Sequence, residues 1–483
     1  MTEYEAVIGL ECHVELDTDT KMFCGCRNEF GAPPNSNVCP VCLGHPGSLP
    51  VPNREALRRI ITIGLALGSE VAPRSLFHRK NYFYPDMPKN YQISQYDLPI
   101  CVGGHLEVEL PDGTTSRVGI TRVHMEEDTG KTTHGSPSGR IHDANAALLD
   151  FNRAGVPLVE CVSEPDIRSP EEAAAYLREL RATLESLDVS DVRMEEGSLR
   201  CDANVSMRPV GTEELGTKVE IKNMNSVRSL ERALAYEIAR QTKALEAGES
   251  IVQETRHWNE DAGATESMRS KEEAFDYRYF PEPDIPAIEP SPAWIDELRS
   301  ALPELPRAKR ERYVAEHGLK PEVARVLVAD RSGSALFEGT VGIGADPVAA
   351  ANWITQDLAG LANKHGAEAA ARVTPQHLAD LLGLISGDTI SGAGAKQALE
   401  EAVETGDAIG AIVERKGLRQ VSDAGELGAI VDDVLAGNAD AAQKFRDGND
   451  GVIGFLVGQV MKASGGSANP KLAQDLLRER LRG

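Results

Sequence analysis

The feature that most constrains this chain is a segment near its start in which apolar and polar side chains alternate. In Ile8–Leu16, every second residue is apolar, and Glu11, His13 and Glu15 fall between them. A period of two is typical of a β-strand with one buried and one polar face. The same alternation recurs in three further segments: Gly119–Asp128, Leu199–Arg208 and Lys218–Lys222. We therefore expect a sheet with one apolar face and one polar face.

The polar face of that sheet carries groups suited to metal and phosphate chemistry. It would hold Glu11 and His13, the carboxylate of Asp202, the amide of Asn204 and several cations, and the segment Gly119–Asp128 ends in the polar run His124-Met-Glu-Glu-Asp128. Carboxylates and phosphate oxygens are the ligands that Mg²⁺ takes, and Lys or Arg beside them neutralises charge on a transferred phosphoryl group. An ATP–Mg²⁺ site is one interpretation. A solvated face of an antiparallel sheet shows the same alternation, and the pattern alone leaves both open.

Paired cysteines indicate a structural metal site. Cys24 and Cys26 are followed, after twelve residues, by Cys39 and Cys42. Two such pairs in a long chain are typical of a closed Cys₄ zinc site, because four thiolates leave no open coordination position. The N-terminus lacks a basic segment followed by an apolar run, and no apolar stretch reaches the roughly 20 residues of a membrane helix. We expect a cytoplasmic protein without a membrane span.

The charge of the chain is acidic but unevenly distributed. The 483 residues include 51 basic and 75 acidic ones, which gives a formal net charge of −24. This balance argues against a freestanding nucleic-acid-binding protein. From Val413 to Gly483, however, ten basic residues balance ten acidic ones. That segment is either an ordinary solvated helical domain or a surface that contacts phosphate, and its composition does not decide between them.

Secondary-structure patterns divide the chain into three parts. Residues 1–290 mix strands with helices, and Ser169-Pro-Glu-Glu172 and Asn225-Ser226 each predict a helix start. After a proline cluster, the sequence from about Trp294 to Glu404 is helical, and a last helical block follows. We expect an α+β domain over 1–290, a helical domain over 291–405 and a tail domain over 406–483.

Several long motifs closely resemble one protein family, the B subunits of the tRNA-dependent aspartyl/glutamyl amidotransferases, which belong to the GatCAB complex. The resemblance covers nearly the whole chain. One small departure is Cys12, where the family usually has an aliphatic residue. The matching motifs are Ile8-Gly-Leu-Glu-Cys-His-Val-Glu-Leu16, Arg79-Lys-Asn-Tyr-Phe-Tyr-Pro-Asp86, Tyr91-Gln-Ile-Ser-Gln95, Glu164-Pro-Asp-Ile-Arg-Ser-Pro170, Glu195-Glu-Gly-Ser-Leu-Arg-Cys-Asp-Ala-Asn204, Asp276-Tyr-Arg-Tyr-Phe-Pro281, Gly454-Phe-Leu-Val-Gly-Gln-Val-Met-Lys462 and Asn469-Pro470.

The resemblance implies a fold, a reaction and partners. The first domain would have the glutamine synthetase/guanidino kinase-like cradle fold, and the helical domain and YqeY-like tail would recognise tRNA. The reaction would be that of a ligase. ATP and Mg²⁺ phosphorylate Glu mischarged on tRNA(Gln), or Asp mischarged on tRNA(Asn), and ammonia then gives the amide. The amidase A subunit, which releases ammonia from glutamine, and a small C subunit would complete a heterotrimer that acts in protein biosynthesis.

The resemblance also implies roles for individual residues. Glu11, His13 and Glu127 would bind magnesium, with Glu126, Asp202 and Asn204 completing the catalytic set. Lys80, Tyr82, Lys89 and Gln95 would line the ammonia route. Because the tail lacks the acidic excess, we expect its cations to contact tRNA: Arg415, Lys416, Arg419, Lys444, Arg446 and Lys462.

Two other functions compete with this interpretation. A non-catalytic tRNA-binding scaffold with a zinc module would lack ATP turnover, and the polar-face carboxylates favour the enzyme over it. A free-standing ATP-dependent ligase that acts on a small acid is disfavoured by the long helical C-terminal part. The sequence does not decide between Glu-tRNA(Gln) and Asp-tRNA(Asn) as substrates.

Overall fold

The structure is a computed structural model that describes residues 3–135, 146–268, 277–420, 424–464 and 468–482. Asp276, the first residue of one motif quoted above, lies outside the described residues. The chain divides into two compact units, Met1–Leu305 and Pro306–Gly483. Each unit is described by itself.

A large, mostly antiparallel sheet forms the first unit. It contains ten strands in the order β14-β13-β12-β11-β1-β10-β7-β5-β2, with β6 also paired to β7. Among the described strands of this sheet, only β12 and β13 pair in parallel. The described residues form these strands: β1 Tyr4–Glu15, β2 Glu70–Val71, β3 His78–Asn81, β4 Tyr91–Ser94, β5 Cys101–Val102, β6 His105–Glu109, β7 Thr115–Glu127, β8 Lys131–His134, β9 Ala147–Asp150, β10 Pro157–Ser163, β11 Leu199–Pro209, β12 Val219–Met224, β13 Thr255–Asn259, β14 Ala264–Ser267 and β15 Phe280–Pro281.

The alternation predicted from the sequence sets the two faces of this sheet. Along β1, Leu10, Cys12 and Val14 are fully buried, whereas the residues between them are half-buried. β11 repeats the pattern beside it, because Cys201 lies opposite Cys12 and Asp202 lies opposite Glu11. Side chains opposite each other in a ladder share a face. The predicted apolar and polar faces are therefore confirmed.

Three helices pack on the apolar face: α1 (Arg54–Ala66), α2 (Pro170–Ser186) and α3 (Val227–Glu246). Both predicted helix starts are confirmed, since Ser169 and Ser226 accept hydrogen bonds from backbone N–H groups in the first turns of α2 and α3. The Glu172 carboxylate accepts from the Arg168 N–H rather than from that of Ser169. The helices leave the polar face of the sheet free for other groups.

The second unit is entirely helical where it is described, and it holds two separate apolar cores. One core includes residues from Tyr313 to Val413, and the other includes residues from Leu427 to Leu481. A π-helical turn, Trp353–Leu358, and a 3₁₀ turn, Asp450–Val452, interrupt the series. With α4 of the first unit, the remaining helices are α4 Pro292–Ser300, α5 Pro306–His317, α6 Pro321–Ala329, α7 Arg331–Gly342, α8 Pro347–Asn352, α9 Ala359–His365, α10 Ala367–Ala370, α11 Pro375–Ser386, α12 Gly392–Thr405, α13 Ile409–Lys416, α14 Ala424–Gly437, α15 Ala439–Arg446, α16 Ile453–Ala463 and α17 Pro470–Arg482.

Packing places the boundaries between the three cores later than the divisions at 290 and 405 expected from the sequence. Leu298 of α4 is buried in the core of the first unit, so that unit continues past the proline cluster. Ile412 of α13 is buried with the middle core, and Gln420 N–H donates to the Thr389 carbonyl, which attaches this segment there as well. None of the described helices has the length and apolar content needed to cross a bilayer.

Candidate functional site

Strand register brings an imidazole–carboxylate cluster together on the polar face. His13 on β1 lies opposite Glu160 on β10, which in turn lies opposite His124 on β7. Glu126 follows His124 by two residues and shares its face. The ligand atoms of His13, Glu126 and Glu160 all lie within 4.8 Å of one another. The three strands therefore converge on a point where one cation can contact three ligand atoms.

Short contacts tie this cluster together. Glu160 Oε2 lies 3.2 Å from His124 Nε2 and 3.5 Å from His13 Nε2. On the other side, Glu126 Oε1 lies 3.5 Å from His124 Nε2 and 3.9 Å from Lys80 Nζ. Ser94 Oγ donates to the same carboxylate at 2.6 Å. Basic side chains and carboxylates thus alternate from His13 to Lys80 along a mostly buried row.

The pKa values in this row follow from its charges. Burial alone lowers the pKa of His124, but the Glu160 and Glu126 carboxylates outweigh it and raise that pKa to about 9. Burial raises the pKa of Glu126, but Lys80 and His124 together lower it to about 2. The pKa of Glu160 is likewise held below its usual range by His124 and His13. Both carboxylates are therefore ionised at neutral pH, as cation binding requires.

Glu11 and Glu127, two of the residues expected to bind magnesium, lie outside this cluster. Glu11 is on the same face, where Asn204 Nδ2 donates to its Oε1 at 2.9 Å. Glu127 follows Glu126 directly on β7, so the alternation turns it to the opposite face. There its carboxylate accepts hydrogen bonds from Lys89 Nζ and from the Ile93 N–H. His13 and Glu126 are the site residues that the structure brings together.

The remaining catalytic candidates lie across β11 and β12. Asp202 Oδ2 accepts a hydrogen bond from Lys222 Nζ at 2.7 Å, and the same amine lies 2.8 Å from Glu220 Oε1. Lys222 is one-third exposed, as is Arg200. Arg200 Nη2 donates to Asp128 at 2.7 Å. Two cations therefore flank the cluster on its β11 side.

The four residues expected on the ammonia route have different surroundings. Lys80 Nζ lies 5.2 Å from the centre of the Tyr277 ring, and Tyr279 stacks on Tyr96 nearby. Tyr82 is half-buried, and burial raises the pKa of its phenol. Lys89 forms the ion pair with Glu127 described above. Gln95 is 2% exposed, and its amide forms hydrogen bonds within the core. Its Nε2 donates to Ser75 Oγ, and its Oε1 accepts from two backbone N–H groups.

The four paired cysteines form the compact cluster expected from their spacing. All four Sγ atoms lie within 4.8 Å of one another, and Cys39 Sγ and Cys42 Sγ are 3.9 Å apart. Tetrahedral Zn–S bonds of about 2.3 Å require sulfurs about 3.8 Å apart. The Cys24 thiol donates to Cys42 and, despite partial burial, lowers the pKa of Cys42 to about 5. The donor set and its spacing fit a structural zinc ion.

The expected tRNA-contacting cations separate into two groups. Arg415 and Lys416 both pair with Glu401, and Arg419 lies 2.5 Å from Glu414. These residues belong to the segment attached to the middle core. By contrast, the structure shows no ion pair for the three cations on α15 and α16 within the described residues: Lys444, Arg446 and Lys462.

Sequence reasoning missed Glu160 and gave His124 no role. Glu160 stands inside Leu158–Val162, a run that is otherwise typical of a buried strand. A single acidic residue in such a run is the signal that could have identified it, because a buried carboxylate requires a partner. The identity of that partner depends on register, which this sequence does not reveal.

Comparison with known proteins agrees with the architecture. The family described as GatB/GatE catalytic domain matches residues 6–296, and the family described as GatB domain matches residues 335–481. The B subunit of the aspartyl/glutamyl-tRNA(Asn/Gln) amidotransferase of Carboxydothermus hydrogenoformans is 52% identical over all of this chain and 99% of its own length. The protein of the same name from Thermosynechococcus vestitus is 54% identical over 99% of this chain and 96% of its own length.

These matches extend over nearly the full length of the chain and include both the sheet unit and the helical unit. The first matched region contains the cluster of His13, Glu126 and Glu160, and the second contains the last helical core. The chain therefore belongs to the family of the B subunits of the aspartyl/glutamyl-tRNA(Asn/Gln) amidotransferases.

Proposed function

We propose that this chain catalyses the ATP-dependent amidation of Glu mischarged on tRNA(Gln), or of Asp mischarged on tRNA(Asn), within a heterotrimer. The relatives that share half of its residues carry this activity in their names. The observation that carries the proposal is the cluster of His13, Glu126 and Glu160, which lies in the region matched by a catalytic-domain family. A scaffold has no need for two ionised carboxylates buried beside two imidazoles.

The proposed chemistry has two steps. An oxygen of the substrate carboxylate attacks the γ-phosphorus of ATP, the bond between the β- and γ-phosphates breaks, and ADP leaves. Ammonia then attacks the acyl carbon, the bond from carbon to the phosphate oxygen breaks, and inorganic phosphate leaves. The first step is needed because a free carboxylate has no good leaving group. The partner A subunit would supply the ammonia, and a C subunit would complete the complex.

His13, Glu126 and Glu160 would hold a divalent cation, for which their two carboxylates and one imidazole nitrogen are suitable donors. Bound Mg²⁺ supplies charge neutralisation for the phosphates of ATP. The proposed ligand set keeps His13 from the expected magnesium ligands. Glu126 and Glu160 take the places of Glu11 and Glu127 in that set. Glu11 would act beside the ion, since Asn204 already orients its carboxylate.

Lys222 and Arg200 would bind phosphate oxygens next to the cation. Both are partly exposed on the polar face, and both are now held by carboxylates, Lys222 by Asp202 and Arg200 by Asp128. Those ion pairs fix the cations in position before ATP arrives. Asp202 is therefore best explained as a positioning residue for Lys222.

Lys80 and Tyr82 would lie at the arrival point of ammonia. Lys80 is held between Glu126 and the Tyr277 ring, which places it at the edge of the metal cluster. Lys89 and Gln95 would stabilise the structure around this region rather than contact ammonia. Their polar groups already form hydrogen bonds with Glu127 and with core residues. The zinc ion would hold the loop that follows β1. The cradle and YqeY-like folds remain part of this proposal.

The function is tested with the assembled complex, ATP, glutamine and each mischarged tRNA in turn. We expect amidated aminoacyl-tRNA, together with ADP and phosphate in equal amounts. ATP turnover should require the mischarged tRNA. A complex that binds tRNA but forms no ADP in its presence would instead identify the chain as a scaffold.

Charge changes on the last helical core should weaken tRNA binding more than changes on the middle core. Replacing Lys444, Arg446 and Lys462 together by Gln removes three cations that form no ion pair with any described residue. We expect the slope of log Kd against log salt to fall by about 2 to 3, since each phosphate contact contributes about 0.7–0.9.

The matched control replaces the three cations attached to the middle core by Gln: Arg415, Lys416 and Arg419. Because these residues are already paired with Glu401 or Glu414, we expect a smaller change of slope. Equal slopes for the two variants would contradict the expectation that the cations of the last helical core contribute more to tRNA binding than those attached to the middle core. In that case the paired cations would also contact phosphate.

A further inference from the structure

The last helical core displays one exposed aromatic side chain. Phe455 on α16 is 52% exposed, while Ile453, Leu456 and Val460 of the same helix are buried in the core. Among the described residues from 424 onward, no other large apolar side chain is this exposed. The amphipathic pattern of α16 therefore turns an apolar ring away from the core.

The surroundings of Phe455 leave its ring accessible. Gly458 follows one turn later on the same side of the helix, and Gly454 is its immediate neighbour. A Cβ atom added at either glycine would meet nothing within 4 Å, so the space beside the ring is open.

The charge around Phe455 favours a polyanionic partner. From Lys444 to Arg482 the sequence has seven basic and four acidic residues, in a chain whose net charge is −24. Lys462 lies two turns after Phe455 and so on the same side of α16. Single exposed apolar residues are common on protein surfaces. An exposed ring on the same helix face as a lysine, here one without an ion pair among the described residues, is what single-stranded RNA binding uses.

We propose that Phe455 stacks on an unpaired nucleobase of the tRNA while Lys462 contacts a nearby phosphate. This inference rests on the proposed function and adds a specific contact to it. Sequence-specific recognition of RNA mostly uses unpaired bases, which stack on aromatic side chains. Phe455 provides the aromatic surface, and the two glycines leave room for the ribose and base beside it.

The test compares four variants of the assembled complex with wild type for binding to deacylated cognate tRNA over a range of salt. Stacking on an aromatic residue contributes enough that Phe455→Ala should raise Kd by about 5- to 100-fold. The slope of log Kd against log salt should stay as in wild type, because no charge is lost. Phe455→Tyr should bind within about twofold of wild type, since the ring is kept.

Lys462→Gln should change the salt dependence of tRNA binding, which Phe455→Ala should leave unchanged. It should reduce the salt slope by about 0.7–0.9, because one phosphate contact is lost. Val348→Ala, which truncates another exposed apolar residue of the helical unit, is the matched control and should leave both Kd and slope unchanged.

Two results would overturn the inference. If Phe455→Ala binds tRNA as wild type does while the wild-type complex amidates mischarged tRNA, the stacking contact is absent and the proposed function stands. If Phe455→Ala loses a subunit in native mass spectrometry, and the intact fraction binds normally, the ring contacts protein instead. A wild-type complex that neither binds nor amidates tRNA would refute the proposed function itself.

Discussion

Replacing Glu160 by Gln should lower the rate of acyl-phosphate formation on mischarged tRNA by at least about 100-fold. The substitution keeps the shape of the side chain but removes the negative charge that lies within 3.5 Å of both His13 and His124. The proposed cation site would lose one ligand, and the two imidazoles would lose the carboxylate beside them. Rapid quenching with labelled ATP would measure the phosphorylated intermediate directly.

The control for this variant is Glu164→Gln, just past the end of the same strand. Glu164 is exposed, and its carboxylate accepts a hydrogen bond from Thr121 Oγ1 rather than from an imidazole. The Glu164→Gln variant should phosphorylate mischarged tRNA at a rate within about twofold of wild type, as expected for a substitution at an exposed site. Glutamine hydrolysis by the partner subunit should persist in both variants. A Glu160→Gln enzyme with near-normal phosphorylation would exclude Glu160 from the site.

Loss of zinc should unfold the loop that holds the four cysteines. Structural zinc contributes on the order of 10 kcal/mol in small domains, so Cys39→Ser should lower the local opening free energy of residues 20–53 by at least about 3 kcal/mol. Hydrogen exchange followed by mass spectrometry would report this loss segment by segment. The loop also contacts the sheet unit, since Met22 N–H donates to the Gly155 carbonyl at 2.7 Å. Thermal stability of the first unit should therefore fall too.

Two further variants separate zinc binding from other effects in this loop. Cys39→His keeps a ligand that zinc accepts and should recover part of the lost protection. Ser36→Ala changes an exposed hydroxyl in the same loop and should have little effect. Metal analysis should find one zinc per chain in wild type and much less in Cys39→Ser. Equal zinc content in those two proteins would show that the cysteines do not hold the metal.

Local features of the fold were predictable because short-range chemistry determines them. The two-residue period of Ile8–Leu16 is enough to define which side chains of β1 are buried. Ser169 and Ser226 cap helices because their hydroxyls accept hydrogen bonds from backbone N–H groups three residues away. The spacing of the cysteines likewise brings all four thiols together within one loop region.

Sequence alone therefore determined the strands and their faces, the helix starts, the cysteine cluster and, through long motifs, the family. Tertiary structure alone decided the members of the imidazole–carboxylate cluster, because strand register places Glu160 between His13 and His124 and turns Glu127 away. It also decided which tail cations are paired, because the carboxylate of Glu401 reaches Arg415 from another helix. Contacts of this kind join residues far apart in the chain, and their partners follow from packing, which no local pattern of residues records.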